Sequence, residues 1–359
     1  MAERSDRIRI SVIIKSNRTD ADTDISFWKD KQHLDVIDED IRDVWAESFS
    51  GISSYLEPTL KSLSQSIFRD FELVLVHRHP ETVLETVKKY GKQLKIKLVS
   101  EKKSIWHDLG SDYCTISNAI NTGIIWADGE LLVSADDCSI WDSALLAEIW
   151  DLWQRGEYAI PKAVKYVLNS QNAETDRWHK RTKLRYGVIR EETLYQLKPG
   201  DVWLPTYGYC FSVSLKDALL LNGFDESLDG AMHGEDGDFG ERLSLITDAI
   251  RRITAAKIYF FGHSYKNVKD YRLVRDNRKF KEFLRQRPFP PERVRANVWR
   301  PSKAVCEMYK RWHLETYGDI DENFDKCREV ETFLLKNLRR LRKAGKVSDK
   351  TGRLYYSSI

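Results

Sequence analysis

The sequence predicts an α/β fold: a mostly parallel sheet flanked by helices, followed by a helical C-terminal extension. Three observations carry that reading. Short apolar runs alternate with helix-length amphipathic segments over the first third of the chain. No two-residue hairpin signal separates those runs. Beyond Pro288-Phe-Pro-Pro291 the pattern turns wholly helical.

The first strand is read over residues 7–14, where Arg-Ile-Arg-Ile alternates before an apolar run, as in a strand entering a buried sheet. Phe71–Val76, Lys95–Ser100 and Leu131–Ser134 are further strands by the same reasoning. Between them, Tyr55–Ile67 places Leu56, Leu60, Leu63 and Ile67 on one helical face, and Glu81–Tyr90 and Ser117–Trp126 follow. Ile258–Phe261 reads as a strand ending at Gly262-His263. The glycine-rich turn of a standard dinucleotide-binding unit is missing after the first strand. Two stretches interrupt the alternation. Residues 19–54 are dense in aspartate and read as an acidic, solvated insertion, since the run Asp20-Ala-Asp22-Thr-Asp24 lacks the glycine and closing glutamate of a calcium loop. Residues 267–359 read as a basic helical extension, with helices over Ser302–Tyr317 and Asn323–Ala344, so that the main domain spans 1–266.

Composition narrows the class. The chain has 359 residues, 42% of them hydrophobic and 31% charged, which excludes collagen-like and largely disordered chains. No apolar run reaches the roughly 18 residues of a membrane helix, and the first nine residues have no signal-type core. Five scattered cysteines, never spaced CxxC, argue against a disulfide framework or a zinc cluster. The expectation is a cytoplasmic protein. The net charge of +3 hides an asymmetry: from Lys266 onward there are 25 Lys/Arg against 13 Asp/Glu, and before it 33 against 42. A basic tail on an acidic body suits an anionic partner, either membrane headgroups in peripheral contact or nucleic acid, and equally a set of solvated helices.

Three motifs carry chemistry. Gly129 to Cys138 is a short strand ending in the adjacent carboxylates Asp136 and Asp137, where open α/β sheets collect ligands. Paired carboxylates repel unless a cation lies between them, and a divalent ion bound to a diphosphate is a natural occupant. Gly234-Glu235-Asp236-Gly-Asp238 opens a helix whose apolar stripe is Phe239, Leu243 and Ile246. Asp236 heads that stripe, a placement that suits a general base. His263 ends the last strand.

In this order the motifs resemble the inverting glycosyltransferases of family 2, with the GT-A fold, and the related animal β-galactosyltransferases. The resembling segments are Ser11-Val-Ile-Ile-Lys-Ser16-Asn17-Arg18, Leu60–Gln65 with Phe71–Val76, Asn121-Thr-Gly123 through Asp136-Asp137, Asn222-Gly-Phe-Asp-Glu226, Gly234–Asp238 and His263-Ser264. They cover roughly residues 8–266 and leave the insertion and tail without a counterpart. The resemblance implies transfer of a sugar from a nucleoside-diphosphate sugar to a hydroxyl acceptor, glycan, lipid-linked or protein-linked, with inversion. Asp236 would be the general base with Glu235 beside it. Ser16, Asn17, His77, Arg78, Asn121 and Asp136 would bind the donor, and Asp136, Asp137 and His263 would hold Mn²⁺ or Mg²⁺. Trp203, Tyr207 and Tyr209 would stack on the acceptor. Two departures stand out: Cys138 falls where the last carboxylate of the metal motif is usual, and His77 falls where an acid usually reads the base. A transferase acting on modified DNA bases and a non-catalytic sugar-nucleotide binder are the competing readings.

Overall fold

The structure is a computed structural model that describes residues 8–20, 25–104, 115–168, 179–183, 185–193, 210–224, 226, 229, 235–244, 247, 251–262, 334–349 and 351–358. In chain order its strands are β1 (Ile10–Ser16), β2 (Phe71–His77), β3 (Ile96–Ser100), β4 (Leu131–Asp136), β5 (Ser139–Trp141), β6 (Tyr158–Leu168), β7 (His179–Lys183), β8 (Val188–Thr193), β9 (Cys210–Ser214), β10 (Arg251–Phe261) and β11 (Leu354–Ser357). The helices are α1 (Ser26–Lys29), α2 (Arg42–Phe49), α3 (Glu57–Ser64), α4 (Pro80–Tyr90), α5 (Ile116–Trp126), α6 (Leu145–Gln154), α7 (Leu215–Leu220), α8 (Glu235–Ser244) and α9 (Leu334–Lys343).

The apolar runs form the centre of a six-stranded sheet in the order β11-β3-β2-β1-β4-β9. β1 to β4 are mutually parallel, and β9 and β11 close the two edges antiparallel. β1 and β2 are buried almost throughout, which is why they read as continuous apolar runs rather than as alternating ones. The expected α/β class with a mostly parallel sheet is therefore what the chain adopts.

Of a second, mixed sheet in the order β5-β10-β6-β8-β7, only the end of β10 was legible, at Ile258–Phe261. It contains a β7–β8 hairpin that turns through Gly187 at φ 73°. Its only local signal is a glycine in left-handed backbone, four residues after a basic run with little apolar alternation. The two sheets are stitched by Ser212 Oγ, which accepts from Ala159 N (2.9 Å) and donates to Ala159 O (3.0 Å).

Two boundaries change. Residues 25–54 are a helical layer, not a solvated loop. Trp28, Trp45 and Phe49 are buried, Trp45 packs edge-on against Tyr166 with ring centroids 5.2 Å apart, and Trp28 Nε1 donates to Gly262 O (2.9 Å). The acids of this layer pair with bases of the second sheet: Asp38 with Arg190 (2.6 Å), Asp40 with Lys257 (2.7 Å) and Asp35 with Arg185 (2.9 Å). Burial works against the charge of Asp38, yet the two-pronged Arg190 contact holds its carboxyl below the ordinary value. The aspartates read as solvated are thus partly the polar rim of an aromatic interface.

The C-terminal end is no separate extension either. β11 is a strand of the first sheet, and α9 packs on α5 with Leu335 and Leu338 in the core. Arg339 Nη1 donates to Ile124 O (2.6 Å), and Trp126 Nε1 donates to Thr351 O (2.6 Å). Gly352, at φ 71°, approaches Ser100 O so closely that a Cβ would lie 2.3 Å from it. Expected helices over Ser302–Tyr317 and the first part of Asn323–Ala344 lie outside the described residues.

Candidate functional site

The site lies where β1, β2 and β4 end, and the strand register splits it into two sides. Lys15 pairs across β1–β4 with Asp136, while Ser16 pairs across β1–β2 with His77. Successive strand side chains point to opposite faces, so Lys15 and Ser16 diverge.

On the Lys15 side, the ammonium meets Asp136 Oδ1 at 2.5 Å; the lysine side chain is 10% exposed and the aspartate 38%. α8 delivers its first turn here. Burial raises the Glu235 carboxyl, the charges of Asp236 and Asp136 raise it further, and Lys15 pulls the other way, leaving it at about 8. Glu235 is buried and Asp236 half-buried. Of this coupled acidic pair, Glu235 keeps the proton at neutral pH because it is the one withdrawn from water. Lys15, Asp136, Glu235 and Asp236 therefore share one electrostatic neighbourhood, open to solvent through the two aspartates.

On the Ser16 side, a closed relay fills the space. His79 N donates to His77 Nδ1 (2.9 Å), so the ring proton sits on Nε2 and is given to Tyr55 Oη (3.0 Å). Tyr55 Oη lies 2.6 Å from Ser16 Oγ and 3.1 Å from Arg18 O. Burial drives His77 down to about 4, against the pull of Asp137. Asp137 belongs to this side: it is buried and meets Arg18 Nε at 3.6 Å. Cys138 accepts from Arg18 Nη1 (3.5 Å), and burial, reinforced by Asp137, lifts its thiol to about 12.

A third group of polar residues braces the N-terminus of α5. Asp229 receives Ser117 N (2.8 Å) and Asn118 N (3.0 Å), one on each carboxylate oxygen. Asn121 donates to Glu226 Oε1 (2.8 Å) and Phe224 O (2.9 Å) and accepts from Phe224 N (2.8 Å). Lys102, 2% exposed, reaches Glu226 at 2.7 Å. Arg78 Nη2 donates to Thr115 Oγ1 (2.6 Å), and its Nε lies 3.4 Å from Glu101. Asn222 and Gly223 take left-handed backbone, and Asn222 Oδ1 accepts from Leu335 N (3.0 Å).

Placed against the expectations, Asp136, Glu235 and Asp236 converge, and Asn17 is exposed at the end of β1. His77, Arg78 and Asn121, expected at the donor, make their hydrogen bonds to the protein in this structure. His77 and Asn121 are fully buried, the Arg78 side chain is 8% exposed, and their polar atoms are taken by the protein. The Ser16 hydroxyl turns inward to Tyr55, so only its backbone borders the site. Trp203, Tyr207, Tyr209 and His263 lie outside the described residues. Lys15, beside Asp136 on the open side, was not singled out by the sequence reading. The signal for Lys15 was one charge in an otherwise apolar strand, which must find a partner on burial.

A divalent ion bound to diphosphate wants hard oxygen ligands converging on one point. Asp136 and Asp137 instead sit on different sides, each matched by its own cation, and the third position is a protonated thiol held by Arg18. Among the described residues no three of His, Cys, Asp and Glu gather as a metal site. The expected ligand pair does not fit the ion.

No protein-family profile matches the chain, and no curated protein matches it. Among solved structures, it is similar to S. aureus TarS 1–349 in complex with UDP-GlcNAc, at 12% identity over 96% of this chain and 89% of that one, with a TM-score of 0.45. It is also similar to GalNAc-T7 with UDP, GalNAc and Mn²⁺, at 14% identity over 94% of this chain and 58% of that one, with a TM-score of 0.48. Both are glycosyltransferases. Likeness at this level carries no functional argument by itself.

Proposed function

We propose that the chain is a glycosyltransferase that moves a sugar from a nucleoside-diphosphate donor to a hydroxyl acceptor, inverting the anomeric centre. One observation carries the reading: Lys15, Asp136, Glu235 and Asp236 share one open neighbourhood at the carboxyl ends of parallel strands. It agrees with the family-2 motif order in the sequence.

In this reading the donor lies along the end of β1, with Asn17 and the Ser16 backbone at its nucleoside and Asp136 at its ribose. Asp236 takes the proton of the acceptor hydroxyl, whose oxygen attacks the anomeric carbon as the bond to the diphosphate breaks. Glu235, neutral at pH 7, leaves Asp236 as the carboxylate that receives the proton. Trp203, Tyr207 and Tyr209 keep the role the sequence suggests for them, stacking on the acceptor. No described helix is long and apolar enough to cross a membrane. The exposed Arg340, Lys343 and Lys346 belong to a face that meets an anionic surface, at the cytoplasmic side in the same proposal.

The test is Asp236→Asn. Donor turnover, read as release of nucleoside diphosphate, falls by about 10²- to 10⁴-fold, the usual worth of a positioned base. Donor affinity stays within about threefold. Near-normal turnover in this variant removes Asp236 from the role.

A further inference from the structure

The disagreement between the aspartate pair and a divalent ion has a constructive side. Lys15 is the one charged side chain of β1, and it stands in register with Asp136 at the strand ends. Three residues on, Arg18 emerges at the other side of the same strand end, with its side chain about a third exposed and its Nε 3.6 Å from Asp137. The loop that carries Asn17 is thus flanked by two cations, each held in place by one aspartate of the motif. Departing diphosphate needs fixed positive charge near its oxygens, and a preorganised ammonium or guanidinium supplies it as a metal ion would.

Resting on the glycosyltransferase reading above, we propose that Lys15 and Arg18 form the diphosphate cradle and take the place of the divalent cation. The carbon–oxygen bond to the diphosphate breaks and its electron pair stays on the phosphate oxygen. The ammonium of Lys15 meets that charge by hydrogen bonding and keeps its own protons. Asp136 and Asp137 hold the two cations in position while the site is empty, so the aspartates position cations instead of ligating an ion. A buried-strand lysine without such a partner would be costly to fold.

The experiment is calorimetric titration of the full chain with UDP, GDP and dTDP, each in EDTA and in Mn²⁺. The diphosphate that binds does so in EDTA within about threefold of its affinity in Mn²⁺. Lys15→Met weakens it by about tenfold or more, the usual worth of a charged hydrogen bond, and Lys15→Arg restores most of the loss. Arg18→Met weakens binding in EDTA likewise and serves if Lys15→Met fails to fold. Binding at least about tenfold tighter in Mn²⁺ than in EDTA overturns the cradle alone. So does unchanged binding by Lys15→Met or, where that variant does not fold, by Arg18→Met. A wild-type chain that binds none of the three under either condition overturns the glycosyltransferase reading itself, and the cradle with it.

Discussion

The two sides of the β1 end hold similar chemistry and opposite designs. Toward Lys15, two aspartates stand at an opening, backed by a mostly buried ammonium and by one acid kept protonated by burial. Toward Ser16, a tyrosine, a neutral histidine and a serine satisfy one another out of contact with solvent. The α5 brace, with Lys102 on Glu226 and Asp229 on the helix N-terminus, follows the second design. Buried polar groups that are mutually satisfied stabilise and specify a fold. Groups left at an opening with shifted ionisation are available for chemistry. The motif residues divide along that line, not along the line drawn by the sequence.

Breaking the sealed brace should have the largest effect on folding. Lys102→Met leaves Glu226 buried without its cation and is expected to cost about 3–5 kcal/mol, measured by denaturant unfolding. A cost under about 1 kcal/mol would show that the pair is not sealed. Tyr55→Phe removes the hydroxyl shared by Ser16, His77 and Arg18 and should cost about 1–3 kcal/mol. Donor turnover per folded molecule should stay within about twofold of the wild type, because the relay does not face the opening. A turnover loss larger than the folding defect would move the relay into the site.

Stability against pH sharpens the same comparison. Glu235 is raised to about 8, so between its ordinary value near 4.5 and pH 8 the folded chain holds a proton that the unfolded chain has released. Its contribution is full below pH 4.5 and is lost as pH rises through 8. His77 is lowered to about 4 from 6.5, so its contribution is full above pH 6.5 and is lost as pH falls through 4. The two slopes oppose each other between pH 4.5 and 6.5. Glu235→Gln should expose the rising His77 arm in that window and flatten the fall up to pH 8, read from melting temperature against pH. An unchanged profile would place Glu235 in water. The smallest effect belongs to the rim: Asp40→Asn, at the half-exposed pair with Lys257, should change stability by less than about 1 kcal/mol.

Much of the first sheet was legible because parallel strands buried on both faces leave continuous apolar runs such as Phe71–Val76. Of the second sheet, only the end of β10 was. Its strands His179–Lys183 and Val188–Thr193 are polar and charged, and their pairing is fixed by partners distant in the chain. The layer at 25–54 misled because its abundant aspartates outweighed Trp28, Trp45 and Phe49 in the reading, although those aromatics carry the packing. The motifs singled out Asp136, Glu235 and Asp236, which the structure brings into one electrostatic neighbourhood. The fate of His77, Arg78 and Asn121 was hidden: a polar residue at a strand or helix end reads the same whether it faces a ligand or a buried neighbour. Only Tyr55 and Glu226, 22 and 105 residues away from His77 and Asn121, decide which.

The account stands on the Lys15 side of the strand ends being the side that takes the donor. A crystal structure of the chain soaked with the nucleoside diphosphate that binds it tests this directly. The diphosphate should lie within hydrogen-bond reach of Lys15 Nζ, with the Tyr55–His77–Ser16 relay intact behind it. A diphosphate seated against Tyr55 and His77, or anywhere remote from Asp136 and Asp236, would contradict the account.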